Sequence, residues 1–169
     1  EQFSPTALDL RVGSEFYIWN PAVFDSSKGF EPPIINTFEY DYTEIATRFL
    51  IRAECEPNGT YILGPDSSYP VLCLTHERVE LPRSSKIAAR VEGRSSLARL
   101  GLSVHITAPT IHCGFRGNIT LEISNLGPLR LRLIPQRTRI CQLIFERVGR
   151  EPGEDLKSAF QDQISVRGR

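Results

Sequence analysis

A chain of 169 residues, 40% of them hydrophobic, can bury one sizeable core. Lysine plus arginine and aspartate plus glutamate both number 20, so no cationic excess points to polymeric nucleic acid or an anionic membrane, and any anion site must be local. No apolar run approaches the roughly 18 residues of a spanning helix and no charged-then-apolar leader opens the chain, which predicts a cytoplasmic protein.

Strand and turn signals dominate from the start. Residues 14–19 predict an early strand. Pro21, Ser26, Ser27, Gly29, Pro32 and Pro33 then predict a loop or insertion over residues 20–36, while residues 43–51 fit a short helix or a strand equally. Residues 61–63, 71–74 and 86–91 are further strands. The four cysteines, Cys55, Cys73, Cys113 and Cys141, form no Cys-x-x-Cys pair and read as buried reduced thiols. His112 beside Cys113 has neither zinc spacing nor a base with its orienting group. Zinc nucleobase deaminases need His-x-Glu and Pro-Cys-x-x-Cys, both absent here, so any deamination must activate water without zinc.

Glu92-Gly93-Arg94-Ser95-Ser96-Leu97-Ala98-Arg99-Leu100-Gly101 suggests a phosphate-binding turn. Gly93 lets the backbone approach an anion, Arg94 and Arg99 offer planar multi-donor charges, and Ser95 and Ser96 add hydroxyls. Residues 95–100 fit a short helix that would add backbone donors; the competing reading is a surface turn with serine caps. In residues 102–107, Val104 and Ile106 alternate with Ser103, His105 and Thr107. In residues 118–124, Ile119, Leu121 and Ile123 alternate with Thr120, Glu122 and Ser124, so each strand has one polar face. Alternation alone makes Glu122 a solvated strand residue.

Leu129, Leu131 and Leu133 alternate with Arg130 and Arg132 in the next strand, and residues 138–145 form another. There Gln142 either satisfies backbone groups or touches a ligand. His76 and His105 read as structural. Pro152, Gly153, several charges and Gly168 make residues 149–169 read as a mobile tail after a domain spanning residues 1–148.

In order and spacing, these segments resemble the dCTP deaminase family of the dUTPase-like superfamily. The likeness is carried by Leu8-Asp9-Leu10-Arg11-Val12-Gly13, Glu77-Arg78-Val79-Glu80-Leu81-Pro82, the Gly93 turn, residues 108–125 and Ile140-Cys141-Gln142-Leu143-Ile144-Phe145. Phe160-Gln161-Asp162-Gln163 resembles the family's closing segment. The resemblance implies an all-β, distorted jelly-roll or β-clip fold with short helical segments, assembled as a homotrimer with sites where subunits meet and a tail that closes over nucleotide. It also implies an N-terminal helix ahead of Asp9-Leu10-Arg11; this chain begins at Glu1 and contains no methionine.

By the same resemblance the activity is deamination of dCTP to dUTP and ammonia, with Glu122 shuttling protons, Ser95 and the Ala108 carbonyl holding the attacking water, and Arg99 organising the pocket. Arg94 and Ser96 go to the triphosphate. Leu97, Ala98, His112, Thr120, Leu121, Gln142 and Gln163 complete the nucleotide site. Magnesium accompanies the triphosphate, and dTTP or dUTP is a further ligand. Departures qualify this: His112 replaces an aspartate that contacts the sugar and, in the triphosphatases, serves the hydrolytic water. Ala159 stands where a phosphate-contacting lysine is usual, with Lys157 nearby but out of register, and Phe160 replaces a tyrosine. His112 and the Gly-Arg-Ser-Ser-Leu-Ala-Arg turn disfavour a dUTP diphosphatase. A bifunctional deaminase-diphosphatase and a catalytically altered nucleotide-sensing module remain alternatives.

Overall fold

The strand on which the sheet is built is β1, Leu8–Trp19, long enough to pair with different partners at its two ends. The computed structural model describes residues 6–25, 27, 29, 31–65, 69–150, 153 and 160–168. After β1 come α1 (Tyr42–Phe49), β2 (Leu50–Arg52), β3 (Tyr61–Leu63), β4 (Val71–Glu80), a 3₁₀ turn (Arg83–Ser85) and β5 (Ile87–Gly93). They are followed by α2 (Ser95–Ala98), β6 (Leu102–Ser103), β7 (Thr110–Ile111), β8 (Arg116–Asn125), β9 (Leu131–Leu133) and β10 (Arg139–Arg147).

Residues 8–11 of β1 pair with β10, while later residues pair with β4 and β2, every ladder being antiparallel. Register shifts between Leu10 and Arg11 and between Val12 and Phe16 let one strand serve both halves of a curled sheet. Its order is β6-β8-β4-β1-β10-β5-β7, and β3 pairs separately with β9. Gly13 sits in the second irregularity, where a Cβ would come within 2.8 Å of the Leu74 carbonyl oxygen, so only glycine fits unless the strands part.

Leu10, Val12, Phe16, Leu63, Leu121, Ile123, Ile140 and Leu143 fill the interior, and Phe16 stacks on Tyr61 with ring centroids 4.6 Å apart. The expected all-β architecture is therefore the observed one. In β8 the alternation holds residue by residue: Ile119, Leu121 and Ile123 are buried, whereas Thr120, Glu122 and Ser124 are half-buried.

Four expectations change. Residues 43–51 are both helix and strand. Asp41 caps α1 by accepting from the Glu44 N–H at 3.1 Å, and the chain turns extended at Leu50 to enter β2. The strand expected over residues 102–107 stops at Ser103, because the chain bends toward β5, where the Pro109 carbonyl accepts from Val91 N–H at 2.9 Å; Ile106 is left 62% exposed. Cys55 is exposed, lying in the loop after β2 rather than in a strand, whereas Cys73, Cys113 and Cys141 are buried.

Within the tail expected over residues 149–169, residues 160–168 are packed onto the domain. Val166 is 1% exposed, its carbonyl accepts from Tyr42 Oη–H at 2.9 Å, and Arg167 donates to the Leu50 carbonyl at 2.7 Å while lying over the Tyr17 ring. Lys157 and Ala159 lie outside the described residues.

Candidate active site

β8 presents Glu122 on its half-buried polar face, opposite Leu72 of β4. The carboxylate looks into a cavity of about 530 Å³ whose walls come from distant parts of the chain. Trp19 comes from β1, Tyr42 from α1, Leu72 from β4 and Val91 from β5. The bend after β6 supplies His105, Ile106 and Ala108, and His112 follows β7. Thr120 and Leu121 join from β8, and Phe160, Gln161 and Gln163 from the tail. Such a lining, aromatic and aliphatic with a few convergent polar groups, suits a flat heterocycle held by specific hydrogen bonds.

The polar groups are held in place. Ile106 N–H donates to Glu122 Oε2 at 3.4 Å, tying the carboxylate to the bend that carries Ala108. Gln163, 3% exposed, donates from Nε2 to the Asn118 carbonyl at 2.6 Å, leaving its Oε1 3.4 Å from the Thr120 hydroxyl. Gln161 donates to the Gly114 carbonyl at 2.9 Å. Tyr42 packs edge-on against Phe160 with ring centroids 5.3 Å apart. Burial first, and the Glu122 carboxylate second, raise the Tyr42 phenol above its ordinary 10.0. A carboxylate in such a place can take a proton from water and deliver it to a bound base.

Of the residues expected at the site, Ala108, His112, Thr120, Leu121, Glu122 and Gln163 share this cavity. The Gly93 turn does not. Gly93 pairs with Cys141 at the end of β5, which sets the turn beside the β1–β10 ladder, and none of residues 93–99 lines the Glu122 cavity. Arg94 there donates to the Arg139 carbonyl at 3.4 Å and lies 3.5 Å from the buried Asp9 carboxylate. Gln142 also belongs to this second group, donating from Nε2 to Asp9 Oδ1 at 3.1 Å. Ser95, Ser96, Ala98 and Arg99 are exposed, whereas Leu97 packs against the core.

The expectation that Ser95, Arg99 and Glu122 converge is thus not met within one chain. The helix over residues 95–100 is only the four-residue α2, with Arg94 at its N-cap and no side-chain cap, so the serine-cap reading fails too. Cys113 points away from the cavity, its Sγ 3.5 Å from the Arg83 carbonyl oxygen. Sequence reasoning missed Trp19 and Tyr42, quoted Gln161 only as part of the closing segment without a site role, and read the cavity residue His105 as structural. Tyr42 gave no local signal: it opens a helix 80 residues before Glu122 in sequence and meets it only through the fold.

The dCTP deaminase-like family model matches residues 1–148. A protein named dCTP deaminase, dUMP-forming, from Methanosphaera stadtmanae is 40% identical over 149 residues, covering 86% of this chain and 66% of its own length. The chain thus spans just under two thirds of that relative. A protein of the same name from Halobacterium salinarum is 37% identical over 166 residues, with 96% of this chain and 77% of that protein covered. The Haloarcula marismortui relative, named dCTP deaminase, matches at the same identity and coverage. The crystal structure of 2'-deoxycytidine 5'-triphosphate deaminase from Agrobacterium tumefaciens superposes with a TM-score of 0.62 at 20% identity, over 88% of this chain and 41% of that one; the two share a fold.

Proposed function

The chain belongs to the dCTP deaminase-like family, and from that premise we propose that it removes the exocyclic amine of dCTP by hydrolysis, with Glu122 as proton shuttle and no zinc. The observation that carries this reading is the Glu122 carboxylate on the wall of a cavity it shares with Ala108, Thr120 and Gln163. Glu122 takes a proton from water as the water attacks C4 and passes it to N3. It then takes the proton of the new C4 hydroxyl and gives it to the exocyclic amine, which leaves as ammonia while the C4 carbonyl forms. The Ala108 carbonyl orients that water. Magnesium enters as part of the substrate, bound to the triphosphate. We place the reaction in the cytoplasm, where free cysteines stay reduced.

The separation of the two groups supports a composite site. In a homotrimer the exposed Ser95, Ser96 and Arg99 of one subunit meet the Glu122 cavity of the next, bringing the phosphate cations and the second water ligand to the base. Arg94, backed by Asp9, contributes to the same triphosphate-binding face.

A second reading ends at dUMP, by deamination followed by release of diphosphate. The names of the Methanosphaera and Halobacterium relatives favour it. His112, an exposed residue on the same cavity, is the group able to accept the proton of the second water when neutral, although it carries no carboxylate charge. The test is to incubate the protein with magnesium and either dCTP or dUTP, following ammonia, diphosphate and both nucleotide products, with Glu122→Gln as control. Ammonia with accumulating dUTP supports deamination alone. Ammonia with diphosphate and dUMP supports the second reading. Binding without either product would turn the protein into a nucleotide sensor.

A further inference from the structure

Asp162 stands between two residues that face the cavity, Gln161 and Gln163, and it is one of three non-glycine residues with positive φ among the described residues, at φ 59°. Aspartate tolerates that left-handed conformation better than most side chains. Its carboxylate is gripped in a fork by Arg116, whose Nε and Nη2 both donate to it, the latter at 2.6 Å. Arg78 adds a third donor from β4 at 3.3 Å and pairs with Glu80 at 3.1 Å. The Asp162 N–H also donates to the Arg116 carbonyl at 2.6 Å, and Asn118 N–H donates to the Gln163 carbonyl at 3.2 Å, so the tail runs alongside the start of β8. Gly117 makes room for this approach: a Cβ there would lie 3.1 Å from the Gln163 backbone nitrogen.

We propose that Asp162, clamped by Arg116 and Arg78, is a positioning residue that sets Phe160, Gln161 and Gln163 as one wall of the nucleotide cavity. The inference rests on the reading of that cavity as the nucleotide site. An isolated surface pair contributes little, but a forked guanidinium–carboxylate contact joined by a second arginine forms a network with fixed geometry. Consistent with this, the hydrogen bonds from Arg116 hold the Asp162 carboxyl below its ordinary 3.8. Asp162 itself does not line the cavity; it acts by fixing the backbone between two residues that do.

The test compares the unaltered chain with Asp162→Asn, Arg116→Gln and the double variant. Asparagine keeps the left-handed backbone acceptable while removing the charge. Amide exchange of residues 160–168 reads the tail directly, without reference to chemistry, and quenching of Trp19, the single tryptophan, reads binding of magnesium·dCTP in the cavity. The expected result is faster exchange throughout the segment, nucleotide affinity weakened roughly three- to tenfold, a KM that rises more than kcat falls, and a double variant no worse than either single one. Unchanged exchange overturns the clamp. So does faster exchange with unchanged affinity, since the tail would then be no wall for the ligand. If the unaltered chain binds no deoxycytidine or deoxyuridine nucleotide, the functional reading fails and the positioning role falls with it, while the exchange result still decides whether Asp162 holds the tail.

Discussion

Ile106 N–H donates to Glu122 Oε2 across 3.4 Å, joining β8 to the bend that carries Ala108. The Glu122 carboxylate is the proton acceptor and the Ala108 carbonyl the water ligand of the proposed reaction, so this contact helps to hold the Glu122 side-chain rotamer relative to the backbone that carries Ala108. Glu122→Gln keeps the shape and the capacity to accept from Ile106 but removes the proton shuttle. Ammonia release should fall by about 10²–10⁴-fold, the usual worth of a positioned acid–base group, while nucleotide affinity stays within about tenfold. An equal loss of affinity and turnover in a direct titration and a steady-state assay would make Glu122 a binding residue.

A site assembled from two subunits makes a prediction that a self-contained site does not. Glu122→Gln spoils the cavity and Arg99→Ala spoils the turn, so each homotrimer should be nearly inactive. When the two variants are denatured, mixed equally and refolded together, about a quarter of the sites should combine an intact cavity with an intact turn. Activity should return to about that fraction of the unaltered protein. No recovery, with mixed trimers verified by mass, would rule out sharing between subunits.

The legibility of this chain followed the range of the forces involved. Period-two burial along β8 comes from the pleat, so Ile119, Leu121 and Ile123 and the opposite placement of Glu122 could be read from the sequence. What required the fold was convergence over long separations: Tyr42 and Trp19 reaching Glu122, or Gln142 turning to Asp9 instead of the cavity. The outward swing of Ile106 was hidden because alternation implies a continuing strand, whereas the bend before Pro109 breaks it. The resemblance grouped His112, Thr120, Glu122 and Gln163, which line the cavity, with the Arg94 turn, which does not line it; only the fold separates the two sets.

The end of that turn depends on two glycines in backbone contact. Gly101, at φ 97°, faces Gly127 so closely that a Cβ on Gly127 would lie 2.2 Å from the Leu100 carbonyl oxygen. The contact fastens the turn after α2 to the connection between β8 and β9, and Leu126 N–H reinforces it by donating to the Gly101 carbonyl at 2.8 Å. Gly127→Ala must separate the two segments and should cost about 1–3 kcal/mol in urea unfolding, as overpacking does elsewhere. Gly64→Ala is the control, because nothing lies within 4 Å of its added Cβ. Equal midpoints for the two variants would show that the approach is not tight in solution.

The buried thiols give the protein an alkaline limit. Burial first, then the nearby Glu77 and Asp9 carboxylates, push Cys141 from its ordinary 9.0 up to about 12. Burial, then Cys141 and Glu122, raise Cys73 further. A thiol with a raised folded pKa keeps its proton in the native state after the unfolded chain has lost it, so its contribution is complete below pH 9 and drains away as pH climbs toward the folded value. Between pH 9 and 10 stability should therefore begin to fall, approaching about 1.4 kcal/mol per pH unit for each of the two thiols once the unfolded chain is ionised. Urea midpoints across that window check it, with Cys141→Ala expected to lower the plateau but remove one thiol's share of the slope. An unchanged slope would mean that Cys141 ionises as readily folded as unfolded, and hence that the β1–β10 ladder admits water where the structure packs it dry.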